Sequence, residues 1–171
     1  SSMNGPGLEH GAQIWMAELA GRLPWHVTLR SHAKGGSRVR DVLEHQLDAA
    51  VESPPDAFVV SVGANDAIHG TPTRTYARQL ATMLDRLSAV APVVSLGIGD
   101  LSVIPRLPRT LRPVVAHRST VIDRAHTLVA ADREQVVRVP VGKLSDHHFR
   151  RHGIALFAGD LFHPNHHGHQ L

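Results

Sequence analysis

The residues best suited to chemistry in this chain lie at its end, in GDLFHPNHHGHQL, where Asp160 stands three residues before His163 and Pro164 and Asn165 follow at once. An imidazole beside a carboxylate can act as a general base whose tautomer and orientation the carboxylate fixes. The same stretch offers a second chemistry, because His163, His166, His167 and His169 with Asp160 supply nitrogen and oxygen donors of the kind zinc takes. Three further segments set polar groups beside glycines. In SVGANDAIHG, Asn65 follows Gly63; its amide could donate to a developing oxyanion, or it could form an Asx-type turn capping a helix that begins near Thr73. In SHAKGGSRVRDVL, Gly35 and Gly36 precede a helix, where free backbone N–H groups face an anion or simply close a turn. The opening SSMNGPG suits a serine nucleophile at a tight turn, and equally a flexible end.

These groups need elements to hold them. A helix is expected from His10 to Leu23, stopped by Pro24, and then a short strand over HVTLR. Val39, Val42, Leu43, Leu47 and Ala50 mark a second helix, and AFVVSV reads as a buried strand. Tyr76, Leu80, Met83, Leu84, Leu87 and Val90 form the clearest helical stripe, with PVVSLG behind it as another buried strand. IGDLSVIPRLPRTLRP has no period and is expected as a long loop. A helix over 114–131, a strand at QVVRVP, a helix from Leu144 to His152 and a closing loop complete the order. Strands alternating with helices imply a parallel sheet covered on both faces, with functional groups in the loops after strands.

Composition narrows the classes. At 171 residues, with 42% apolar and 19% charged residues, the chain fits one globular unit. The net charge of +3 comes from scattered arginines without interleaved aromatics, which argues against a nucleic-acid platform. No apolar run is long enough for a membrane span, so no stable membrane insertion is expected. There is no cysteine, which removes thiol catalysis and thiolate metal sites and leaves the compartment open.

Taken together, the loops are far more specific than any one alone: the chain resembles the SGNH/GDSL hydrolase family, in its actinobacterial form. Gly36 falls at the glycine of the second block, Gly63, Ala64, Asn65 and Asp66 give Gly-x-Asn-Asp of the third, and Asp160 to Asn165 give Asp-x-x-His-Pro-Asn of the fifth. The first block is half present: Ser1 has Gly5 and Gly7 at the family's spacing, Ser2 does not, and no Gly-Asp pair stands before them. GDLSVIPRLP is similar to a substrate-side loop of actinobacterial members.

The resemblance implies a three-layer α/β/α, flavodoxin-like fold with a parallel sheet, in one domain over 1–171 cropped at both ends, its first strand and Gly-Asp lying upstream of Ser1. It implies a serine esterase or lipase with a triad of Ser1, Asp160 and His163 and an oxyanion hole of the Ser1 N–H, Gly36 and Asn65. No cofactor and no metal are expected, and the partner is a small-molecule ester; Leu101, Ile104 and Leu107 hint at an apolar acyl contact. The alternatives are a histidine-rich metal-binding protein or metallohydrolase, and an inactive relative acting as a binding module. His147, His148, His166, His167 and His169 are read as surface or pocket-rim residues, and Asp146, Arg106 and Arg109 as solvated charges. Oligomeric state, compartment and the acyl and alcohol groups cleaved are not legible.

Overall fold

The structure, a computed structural model, describes residues 14–171. Ser1, Ser2 and the first turn of the helix expected from His10 therefore lie outside the described residues. Helix α1 runs Trp15–Arg22 and ends ahead of Pro24, as the sequence leads one to expect. After it come α2 (Val39–His45), α3 (Leu47–Glu52), β1 (Phe58–Ser61), α4 (Ala64–Ile68), α5 (Thr73–Ser88) and β2 (Val93–Leu96). The second half holds α6 (Arg112–Ala131), β3 (Val136–Val139), α7 (Val141–His152) and α8 (His166–His169).

The three strands pair in parallel in the order β1-β2-β3, with Phe58 opposite Val93 and Val93 opposite Val136. Parallel neighbours require crossovers, and α5 and α6 supply them. The register puts Phe58, Val60, Val93, Ser95, Val136 and Arg138 on one face of the sheet. Against that face α5 buries Tyr76, Leu80, Met83, Leu84 and Leu87, five of the six residues of the expected stripe, and α6 buries Ile122, Ala125, His126 and Ala130; Val90, the sixth, lies beyond the end of α5 and is exposed. This is the α/β/α class of fold with a parallel sheet.

Three local expectations are corrected. HVTLR is not a strand: residues 26–30 carry no ladder, because among the described residues β1 pairs only with β2 and offers them no partner. For the same reason β1 is half-buried instead of fully buried. The helix expected over 39–50 is two helices, broken at Gln46, whose backbone (φ −127°, ψ −32°) leaves the helical region.

Behind the sheet sits a buried polar chain. Ser95 on β2 lies 2.7 Å through its Oγ from Nε2 of His126 on α6, and Nδ1 of the same ring lies 3.2 Å from the Tyr76 hydroxyl on α5. All three residues are fully buried. Burial, aided by the charge of Arg138 and opposed by Asp123, pushes His126 down to about 4. As pH falls below the ordinary histidine value of 6.5, the unfolded chain takes up a proton that folded His126 refuses until about 4. Each pH unit in that window costs about 1.4 kcal/mol, so stability should fall by on the order of 3 kcal/mol across it and no further below it on this account. Urea unfolding at pH 7 and pH 4 checks this: His126→Gln should flatten that part of the slope, and an unchanged slope would refute it.

Candidate active site

The C-terminal half of the site is one loop that folds on itself. Asp160 Oδ1 accepts the backbone N–H groups of Phe162 and His163, each at 3.0 Å, and Oδ2 lies 2.6 Å from Nδ1 of His163. Burial works against the Asp160 charge, but the hydrogen bonds from the His163 ring and the two backbone amides outweigh it and hold the group at about 2. Asp160 is therefore an anion at any working pH and can only accept. Its partner Nδ1 must then carry the hydrogen, which leaves the Nε2 lone pair exposed as the basic site. Nε2 has no partner among the described residues.

The loop is closed from behind. Ala158 N–H donates to the His163 carbonyl at 2.8 Å, Phe157 bridges Pro164, and Asn165 N–H donates to the Leu156 carbonyl at 2.9 Å. The Asn165 side chain donates to the carbonyls of Ala155 and Phe157 and accepts from Gly168 N–H, capping α8. A Cβ at Gly168 would meet the Leu156 carbonyl at 2.4 Å, so the backbone there can approach only as glycine. Asn165 thus braces the loop that carries His163, a role its place in the motif does not reveal.

The second half of the site follows β1. Gly63, at φ 108°, turns the chain out of the strand into α4, and a Cβ on it would sit 2.8 Å from the Tyr76 hydroxyl. Asn65 is therefore in the first turn of a short helix, not in a loop leading to Thr73. It does not cap α4; its Nδ2 donates 3.0 Å to the Ser37 carbonyl. The next residue, Asp66, is wholly buried and accepts the Val39 N–H, the first of α2, at 3.1 Å. Burial raises its carboxyl against the lowering effect of that bond. Asn65 and Asp66 together clasp residues 37–39, which fixes the preceding turn, where Ser37 N–H reaches the Lys34 carbonyl and Gly36 takes φ 79°. The Gly36 N–H has no partner among the described residues. Between the two loops opens a cleft of about 100 Å³ lined by Ser37, Ser61, Gly63, Asn65 and Ile98.

The connection after β2 adjoins both halves. Ile98 reaches the cleft, and further on Arg106 N–H donates to the Leu161 carbonyl at 3.0 Å. The connection is not featureless, since Leu101–Val103 and Arg109–Leu111 form single 3-10 turns. Ile104 is buried, and Leu107 is the aliphatic residue that reaches a surface pocket.

Other sequence-based assignments change. Asp146 is no solvated charge: it is half-buried, accepts the Asp100 N–H at 3.0 Å, and burial raises its carboxyl. His169 is buried, and burial lowers it. His163, His166, His167, His169 and Asp160 do not converge; among the described residues no three or more His, Asp or Glu side chains are placed to hold a metal ion.

The GDSL-like Lipase/Acylhydrolase family model matches residues 1–171. The chain belongs to the GDSL-like lipase/acylhydrolase family. A GDSL-like esterase of Mycobacterium tuberculosis is 36% identical over 123 residues, 70% of this chain and 39% of that protein, so the match spans about two fifths of the relative's length. Among solved structures, a G-D-S-L family member from Veillonella parvula superposes with a TM-score of 0.76 at 16% identity, covering 99% of this chain and 88% of the other. The psychrotrophic esterase EstA from Pseudoalteromonas sp. gives 0.70 at 19% identity, over 98% and 85% of the two chains. Both structures share the fold of the described helices and sheet.

Proposed function

We propose that this GDSL-family chain is a metal-independent serine hydrolase of carboxylic esters, with a triad of Ser1, His163 and Asp160. The observation that carries the proposal is the Asp160–His163 pair, in which the carboxylate fixes Nδ1–H and leaves Nε2 as the acceptor. In this scheme Nε2 takes the Ser1 hydroxyl proton as the oxygen attacks the ester carbonyl, then returns it to the leaving alcohol. Water, activated by the same nitrogen, cleaves the acyl-enzyme. The negative charge on the tetrahedral oxygen would face the Gly36 N–H, the second amide hydrogen of Asn65 and the nucleophile's own N–H. The unpartnered Gly36 N–H and the clasp of Asn65 on Ser37 support this placement. Ser1 is assigned by its spacing to Gly5 and Gly7.

A rival dyad is visible in Ser95 and His126, 2.7 Å apart, but both are fully buried and a substrate cannot reach them. A fluorophosphonate should accordingly label Ser1, as read by peptide mapping, and abolish turnover of chromogenic esters that chelators leave intact. Label on Ser2 would shift the assignment by one residue. Label on Ser37, Ser61 or Ser95 would overturn it, and chelator-sensitive turnover restored by zinc would favour metal chemistry.

A further inference from the structure

Beside the base lies a surface pocket of about 320 Å³, lined by Arg106, Leu107, Pro108 and Phe162. Among the described residues its walls are apolar apart from Arg106. The Phe162 ring is shared between pocket and base, since it meets the His163 ring edge-on with centroids 5.0 Å apart. The pocket's other wall is fixed to the same loop by the bond from Arg106 N–H to the Leu161 carbonyl. Arg106 is exposed, and among the described residues no carboxylate lies within ion-pair distance of its guanidinium. By contrast Arg112, on the same connection, directs its guanidinium to the carbonyls of Leu107 and Pro105. Among the described residues Arg106 is thus an unpaired cation lining an otherwise apolar pocket.

Which part of an ester would enter follows from the chemistry of the base. A general acid must reach the leaving oxygen within hydrogen-bond distance. The group joined to that oxygen therefore lies beside His163, while the acyl carbonyl faces Gly36 and Asn65. A pocket walled by Phe162 is then placed on the alcohol side of the ester, a reading that assigns Leu107 to the alcohol and not to the acyl contact suggested by the sequence.

Resting on the hydrolase proposal above, we infer that the preferred substrates are esters of alcohols with an apolar body and an anionic group, the body held by Leu107, Pro108 and Phe162 and the anion by Arg106. Arg106 is then a specificity residue, because a cation at the edge of the pocket discriminates by charge where apolar walls discriminate only by size.

The test compares two acetate esters of matched size and leaving-group acidity, those of para-hydroxyphenylpropionate and of its primary amide. Discrimination is the ratio of their kcat/KM values, expected near five-fold in favour of the carboxylate, since a rim ion pair contributes about 1 kcal/mol. Arg106→Gln should bring the ratio to about one, and Arg106→Glu should invert it. Raising salt from about 0.05 to about 0.5 M should also shrink the ratio in the parent protein. The bond that Arg106 makes to Leu161 is through its backbone, so these variants keep the loop anchored. A parent ratio of one or less, or a ratio that Arg106→Gln leaves unchanged, would overturn the inference while leaving the hydrolase proposal standing. Failure to cleave either ester would overturn that proposal and this inference with it.

Discussion

His163→Ala is expected to lower kcat by on the order of 10⁴-fold or more, because in the proposed mechanism it removes the group that accepts the nucleophile's proton and later supplies one to the leaving alcohol. Substrate binding should change little, since the imidazole acts on charge and protons in transit. Asp160→Asn should do less damage, roughly 10² to 10⁴-fold, because the base remains and only its orientation and tautomer are disturbed. The Asp160 carboxylate accepts both the ring and the two backbone amides of the loop. An asparagine could keep the backbone bonds through its carbonyl, but would present an N–H to Nδ1 and so favour the wrong tautomer. Steady-state kinetics on one chromogenic ester, with circular dichroism to verify folding, decides the matter. An Asp160→Asn protein inactive beyond His163→Ala would mean that the carboxylate has a role other than orientation.

Asn65→Ala should cost about 10²-fold or more in kcat with KM nearly unchanged, as removal of an oxyanion donor does when it acts on charge present only in the transition state. The structure adds a complication that can be separated experimentally. The Asn65 side chain also holds the Ser37 carbonyl, so its loss could loosen the turn that carries Gly36. Asn65→Asp, which keeps the size but turns the donor into an acceptor, should be at least as inactive as Asn65→Ala. The buried clasp from Asp66 to Val39 keeps the loop in register in both variants. An effect confined to KM would make Asn65 a scaffold residue instead.

Local pattern and tertiary partnership differ in how far they could be read from the sequence. The α5 stripe was legible because five residues at helical spacing, Tyr76, Leu80, Met83, Leu84 and Leu87, all face the core. Strand β2 was legible because a short β-branched run between turn residues has few other uses. Asp160 and His163 were legible because their partnership spans three residues. The polar chain of Tyr76, His126 and Ser95 was not, since its members are 50 and 31 residues apart and none announces a partner. Asp146 and His169 were misread as surface groups for the same reason: their burial is set by distant elements. HVTLR shows the opposite failure, a strand-like composition without a neighbouring ladder to complete it.

The C-terminal loop is self-contained. His163, the carboxylate that binds its ring, the amides that fix the carboxylate and the asparagine that braces the loop all lie between Ala155 and Gly168. Their mutual alignment is inherited from a single short piece of chain, not negotiated among strands. Changes in the sheet or in the helices can therefore move this loop as a block, without disturbing the hydrogen bonds within it. Substitutions outside the loop can in this way leave the Asp160–His163 pair intact, as a cassette keeps its contents whatever holds it.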